Sequence, residues 1–116
     1  ILALVRADFD PSICTRKKLS LWFAFWGETS AKPFYNQLAS ESEEERFQAM
    51  KQACEALAKT VHVPQPVLLA QSIDAHTDGL WLQMHLQGPE FGVREGLEAA
   101  LVHLRLLLPD LANSIS

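Results

Sequence analysis

The chain of 116 residues has few cysteines and no long apolar run. Cys14 and Cys54 form no CxxC motif, so the simplest interpretation is a pair of reduced thiols in a cytoplasmic protein. No apolar stretch approaches the roughly 20 residues that a membrane-spanning helix needs, so no membrane partner is expected. The opening segment ILALVR is also shorter than the apolar core of a signal peptide.

An excess of positive charge is lacking as well. The 10 Lys and Arg residues are outnumbered by 14 Asp and Glu residues, which gives a net charge of −4. Binding to phosphates needs a basic surface, so this chain is not expected to bind nucleic acid by itself. With 48% hydrophobic and 21% charged residues, the composition is that of one globular domain with a single core.

Motifs of catalysis and cofactor binding are absent from the sequence. It contains no GxSxG, P-loop, HExxH or GxGxxG pattern, and its four histidines have no metal-ligand spacing. We therefore expect no enzyme, no cofactor and no metal site. An acid–base pair formed by Glu28 and Asp78 stays open from the residues alone, although no nucleophile stands beside them.

What the sequence does contain is helical periodicity, and no alternating run predicts a strand. Ser42 and Glu45 match a capping box, which predicts that a new helix begins inside the third helical segment. The final segment DLANSIS is expected to be a frayed tail. Five or six helices are therefore predicted, running from Ile1 to Phe9, Thr15 to Ser30, Pro33 to about Leu57, Pro66 to Gln87 and Val93 to Leu108.

The second predicted helix carries the segment LWFAFWGE, which holds two of the three tryptophans. Apolar residues cover nearly all of its sides, which favours a place at the centre of a helical bundle. Two interpretations of the rings stay open: they fill the core, or they line a pocket. Aromatic faces together with a carboxylate suit a cationic or amphipathic small ligand.

The last two predicted helices have the pattern of an interface. Ser72, Ala75 and Gly79 form a line of small residues along which a partner helix can approach closely. The final helix has one apolar face through Leu101 and a second through Val102. Two apolar sides imply that one packs on the domain and the other on another chain. With their symmetry mates, the two helices would form an intermolecular four-helix bundle.

Three segments together resemble a known family: FDPS followed by LWFAFWGE, then KPFYNQLASESEEERF, and DGLWLQMHL in the penultimate helix. They are similar to the C-terminal ligand-binding and dimerisation domain of TetR-type transcriptional regulators, and most of all to the BetI-type branch of choline-responsive repressors. The resemblance spans nearly the whole chain.

The resemblance implies an all-α antiparallel bundle of five to six helices, with the last two helices forming a dimeric four-helix bundle. Residues 1–116 would be the C-terminal regulatory domain, and residues 1–10 the end of a linker helix after an N-terminal helix-turn-helix domain that this chain lacks. A small-molecule effector, a choline-like cation, would bind in the bundle and alter operator DNA binding by that N-terminal domain. A purely structural dimerisation module and a small helical enzyme are the alternatives.

Two sets of site residues accompany this interpretation. If the effector is a quaternary ammonium ion, Glu28, Asp74 or Asp78 would supply the opposite charge. The ligand would lie against Trp22, Phe25, Trp26, Thr29, Asp78 and Trp81. The homodimer interface would contain Ser72, Ala75, Gly79, Leu82, Leu97, Leu101, Leu104 and Leu108.

Overall fold

The computed structural model describes residues 1–12, 14–29 and 33–115, with the side chains of these residues except 28, 29, 33–40, 42 and 43. The described residues form helices and connecting turns and no strand, so the prediction of an all-α fold is confirmed. None of the described helices combines the length and apolarity needed to cross a membrane. The α-helices are α1 (Leu2–Asp8), α2 (Arg16–Thr29), α3 (Pro33–Leu57), α4 (Pro66–Gln87) and α5 (Val93–Leu107).

The helix boundaries follow from side chains that the sequence places at the ends. The backbone N–H of Lys18 donates a hydrogen bond to Oγ1 of Thr15 at 3.2 Å, which satisfies one of the free donors at the start of α2. Pro66 stands in the first turn of α4, where its missing N–H is not needed. Gly88 ends α4 with a φ of 74°, a left-handed conformation that glycine adopts without strain.

The third helix differs from the prediction of a new start at Ser42. Its backbone is helical without interruption from Pro33 to Leu57, so the capping-box prediction is wrong. The pattern of a serine followed by a glutamate three residues later is equally compatible with the middle of a helix, where the backbone N–H groups already have intrahelical acceptors. An exposed hydrogen bond of 2.7 Å between Gln48 and Glu44, one turn apart, accompanies this continuous helix.

The core lies between α1, α4 and α5 and is closed by one side each of α2 and α3. From α4 it takes a stripe of residues spaced three and four apart, which makes α4 the central helix. The predicted central place of α2 is therefore wrong: Leu19 is buried, but Leu21 is 62% exposed. Among the described residues, the buried ones are Val5, Phe9, Leu19, Met50, Cys54, Ala70, Ile73, Thr77, Leu80, Met84, Gly96, Ala100, Leu101, Leu104 and Ile115.

The segment after α5 is packed rather than frayed. Residues Pro109–Ser114 form a 3-10 helix, and Ile115 behind it is only 8% exposed. Nε of Arg105 donates a hydrogen bond of 2.9 Å to the carbonyl oxygen of Ile115. Asp110, Asn113 and Ser114 made this segment look frayed in sequence, whereas the burial of Ile115 holds it against α5.

Candidate functional site

Two of the predicted ligand residues, Asp78 and Trp81, meet on one side of α4. They stand three residues apart, so a helix places them on neighbouring positions of one face. Arg46 of α3 lies against both: its Nη2 is 2.9 Å from Oδ1 of Asp78, and its Cζ is 4.8 Å from the centre of the Trp81 ring. The guanidinium thus makes an ion pair and a cation–π contact at the same place.

Trp81 also joins α4 to α1. Its Nε1–H donates a hydrogen bond of 3.1 Å to the carbonyl oxygen of Asp8, the last residue of α1. The same side chain packs against the core, so its position is determined by apolar contacts as well as by this bond. A substitution or movement of Trp81 would therefore alter its contacts with α1 and α3 directly.

A second carboxylate, that of Asp74, interacts electrostatically with both members of the Arg46–Asp78 ion pair. Burial raises the pKa of the Asp74 carboxyl, the Arg46 guanidinium opposes that rise, and the Asp78 carboxylate adds to it. Nη2 of Arg46 also donates to the carbonyl oxygen of Asp74 at 3.4 Å. One cation thus compensates two carboxylates on successive turns of α4.

The other predicted ligand residues form a separate aromatic group on α2. Trp22 stacks on Phe25 with ring centres 5.9 Å apart, and it contacts Trp26 at 5.3 Å. An open groove of about 480 Å³ runs beside Lys18, Leu21, Trp22 and Phe25. Nε1 of Trp22 is buried and finds no acceptor among the described residues. The side chain of Thr29, also predicted here, lies outside the described residues.

Phe23 connects the aromatic group of α2 to α4. Its ring meets Trp26 edge-on at 5.2 Å and stacks on His85, one turn beyond Trp81, also at 5.2 Å. The structure therefore brings together Trp22, Phe25 and Trp26 as one set and Asp78 and Trp81 as another. Phe23 and His85 stand between the two helices that carry these sets.

Sequence reasoning missed Arg46, Phe23 and His85 as members of the site. A signal for Arg46 was available, because it is the only Lys or Arg between Pro33 and Met50 and directly follows an acidic run. No such signal distinguishes Phe23 from the rings around it.

The structure changes the position of the predicted dimer surface. Leu101 is 7% exposed and Leu104 is 1% exposed, and Leu97 and Leu108 pack on the same core. Leu101 and Leu104 face the interior of their own chain, so their assignment to a dimer interface does not fit the structure. The physical reason is that α5 has two apolar sides, and the one through Leu101 packs on the domain. Leu97 and Leu108 are half-buried, and their place in an interface stays a prediction.

The second apolar side of α5 and one side of α4 remain exposed. On α5, Val102 is 49% exposed and Leu106 is 74% exposed. On α4, the predicted residues Ala75 and Gly79 are exposed, and Ser72 is half-buried. We call the following set the outer stripe: Leu68, Ala75, Gly79, Leu82, Leu86, Val102 and Leu106.

Two histidines meet where α4 and α5 pack together. The rings of His76 and His103 have their centres 4.0 Å apart. Burial lowers the pKa of both imidazoles, and His103 lowers that of His76 further. Within the described part of the chain, no group of three or more His, Cys, Asp or Glu side chains could hold a metal ion.

Comparison with known proteins gives one consistent family. Residues 1–109 match the family of BetI-type transcriptional repressor C-terminal domains. The HTH-type transcriptional regulator BetI of Paraburkholderia phymatum is 29% identical over 110 residues, which cover 95% of this chain and 55% of that protein. The BetI regulator of Burkholderia thailandensis is 27% identical over 106 residues, 91% of this chain and 53% of that protein. No solved structure matches the chain significantly.

A third curated relative has the same name as the first two. The HTH-type transcriptional regulator BetI of Stenotrophomonas maltophilia is 26% identical over 98 residues, 84% of this chain and 48% of that protein. The chain thus spans about half the length of the curated relatives that it matches. Since the family match covers residues 1–109 and the described residues form an all-α fold, the chain belongs to the C-terminal domains of the BetI-type transcriptional repressors.

Proposed function

We propose that this chain is the effector-sensing and dimerisation half of a cytoplasmic transcriptional repressor. In this proposal a choline-like cation binds between α2, α3 and α4 and alters operator DNA binding by an N-terminal helix-turn-helix domain. The observation that carries the proposal is the contact of Arg46 with Trp81 and Asp78, at 4.8 Å from the ring centre and 2.9 Å from the carboxylate. An aromatic face and a carboxylate arranged around one positive charge have the chemistry that binds a quaternary ammonium ion.

The aromatic group of α2 supports the same ligand class. The rings of Phe25 and Trp26 lie 5.9 Å and 5.3 Å from that of Trp22 between centres, and Phe23 stacks on His85 of α4. Cation–π contacts contribute about 0.5–2 kcal/mol each, depending on desolvation. Two or three such contacts with one carboxylate give micromolar to millimolar affinity, a range that suits a metabolite sensor.

A route from the effector to the DNA-binding domain is also supported. Trp81 holds the end of α1 through the carbonyl oxygen of Asp8. By resemblance to the family, α1 is the end of the helix that links this domain to the DNA-binding domain. A ligand that moves the Trp81 indole would therefore act on that linker through a direct hydrogen bond.

Dimerisation is assigned to the outer stripe. Its leucines and valine are too exposed for core residues, with Leu86 at 71% and Leu106 at 74%. Several large exposed apolar side chains on two neighbouring helices are typical of a protein–protein interface. Small residues at Ala75 and Gly79 would let a symmetry-related helix approach closely.

Calorimetry with choline and its neutral analogue 3,3-dimethylbutan-1-ol tests the effector. The two molecules have nearly the same shape and differ in one positive charge, so only choline should bind with micromolar to millimolar affinity. Trp22→Phe should weaken choline binding, because phenylalanine has the weaker aromatic face for a cation. Absence of heat from choline at millimolar concentration would show that the effector is not this cation.

A further inference from the structure

We infer that the guanidinium of Arg46 fills the cation site when no effector is bound. An effector cation then binds by displacing this guanidinium from Trp81 and Asp78. This inference rests on the proposed function, because it concerns the same ligand class. It adds a specificity-determining residue on α3 that competes with the ligand from within the chain.

The Arg46 guanidinium occupies the place that a cation between the Trp81 ring and the Asp78 carboxylate would take. The Arg46 guanidinium lies 4.8 Å from the centre of the Trp81 ring and 2.9 Å from the Asp78 carboxylate. A quaternary ammonium ion bound against the same ring face and carboxylate would overlap this guanidinium. Binding of the ligand and the observed position of Arg46 therefore exclude each other.

The partial exposure of the pair makes an exchange feasible. The Arg46 side chain is 22% exposed and that of Asp78 is 34% exposed, so solvent reaches both partners. A long arginine side chain can swing out to water by rotation about its own bonds, without refolding of α3. The site can thus change its occupant while the helices stay in place.

Charge balance favours the exchange of one cation for another. Asp74 and Asp78 face the same guanidinium, and burial raises the pKa of the Asp74 carboxyl. If Arg46 left alone, both partly buried carboxylates would lose their compensating charge. A quaternary ammonium ion arriving as Arg46 leaves maintains that compensation, whereas a neutral ligand does not.

The exchange would also change how the helices are connected. Arg46 is the point where α3 contacts Asp74, Asp78 and Trp81 of α4. Replacement by a free cation removes this connection while Trp81 keeps its hydrogen bond to Asp8 of α1. Effector binding would then loosen α3 at this point of α4, while the packing of Met50 and Cys54 on the core is kept.

Choline calorimetry on Arg46→Gln tests the inference. This variant should bind choline about tenfold more tightly than wild type. The reason is that choline no longer has to break the cation–π contact and the ion pair of Arg46. Arg46→Lys keeps a positive charge but replaces the planar guanidinium, so it should tighten binding about threefold. The matched control is Arg94→Gln on α5, where an exposed arginine pairs with Glu98 at 3.6 Å, and it should leave the affinity unchanged.

A second measurement follows the guanidinium itself. In wild type, choline should shift the Nε–H resonance of Arg46, identified by its absence in Arg46→Gln, and leave that of Arg94 in place. Adding Trp81→Phe to Arg46→Gln should remove most of the gain in affinity, because the aromatic face is then weaker.

The outcomes separate this inference from the proposed function. Equal affinity of wild type and Arg46→Gln would overturn the inference and leave the cationic effector intact. Binding to Arg46→Gln but not to wild type would support the inference and reject choline as the effector of the natural chain. Binding to neither protein, with both folded by circular dichroism, would overturn both.

Discussion

At the scale of the residue, Trp81 shows how one side chain can connect three helices. It is carried by α4, its indole N–H bonds to the end of α1, and its ring face receives Arg46 of α3. None of these contacts is local in sequence, since Asp8 and Trp81 are 73 positions apart. The side chain is therefore important to the stability of the domain independently of any ligand.

Trp81→Phe is expected to reduce the free energy of unfolding by about 1–2 kcal/mol. The variant keeps an aromatic ring in the core but removes the hydrogen bond to Asp8 and weakens the contact with Arg46. Urea unfolding measures the change. The control Trp22→Phe should have a smaller effect, because Nε1 of Trp22 has no acceptor among the described residues; equal effects would contradict the role assigned to the Asp8 bond.

The histidine pair predicts how stability depends on pH. His76 and His103 both have pKa values lowered from 6.5, so their protonation is harder in the folded state than in the unfolded state. Their contribution to stability is complete above the unfolded pKa and is lost as pH falls through the folded values. Melting temperature should therefore be level near pH 7–8 and decline below about pH 6.5.

The double variant His76→Gln, His103→Gln should show a shallower decline over the same pH range. His62→Gln is the control, since His62 is exposed in the connector before α4. Thermal melts at several pH values measure all three proteins. An unchanged pH profile in the double variant would remove the pair as the cause of the decline.

At the scale of the element, the position of α5 depends on one residue without a side chain. A Cβ added at Gly96 would lie 2.8 Å from Cε1 of Phe9 and 3.0 Å from Sδ of Met84. Real side chains do not approach this closely, so glycine lets α5 pack directly on α1 and α4. The sequence shows only a glycine in the first turns of a helix, where it lowers helix propensity.

Gly96→Ala should destabilise the domain by up to about 2 kcal/mol, since an overpacking cost of about 1–3 kcal/mol outweighs the gain of about 1 kcal/mol in helix propensity. Gly27→Ala on α2 is the matched control, because no described atom lies within 4 Å of its added Cβ. That variant should be stabilised by about 0.5–1 kcal/mol. Chemical denaturation compares the two, and a stabilised Gly96→Ala would contradict the close packing of α5.

At the scale of the whole molecule, α5 separates the interior from the proposed interface. Its side through Leu104 belongs to the core of the chain, and its side through Leu106 is exposed. A charge introduced on the first side should therefore unfold the domain, and a charge on the second should only separate protomers. Leu101→Glu belongs to the first class, because Leu101 is 7% exposed.

Leu106→Glu and Leu86→Glu are expected to convert a dimer into a helical monomer. Each would place an unpaired charge in the buried centre of an interface, at a cost of several kcal/mol. Sedimentation velocity at micromolar concentration measures the mass, and circular dichroism checks the helix content. Leu21→Glu on α2 should leave the dimer unchanged, and a wild-type chain that sediments as a helical monomer would reject the outer stripe as an interface.

Much of the architecture was determined by the sequence alone. Proline at the start of α4 and glycine at its end set its limits correctly, because both residues act on the backbone through their own geometry. The resemblance carried by LWFAFWGE and DGLWLQMHL led to the family that comparison then established. Asp78 and Trp81, both predicted as ligand residues, lie on one side of α4, since a helix brings residues three apart together.

The tertiary structure alone decided which apolar side of α5 packs inward and what lies on the Trp81 ring. Periodicity identifies an apolar side but cannot rank two of them, so Leu101 and Leu104 were assigned to an interface although they are core residues. Arg46 is 32 positions from Asp78 in sequence, and the ion pair between them exists only because α3 packs against α4. Helical patterns are local, whereas burial and pairing depend on which helices become neighbours when the apolar surface is removed from water.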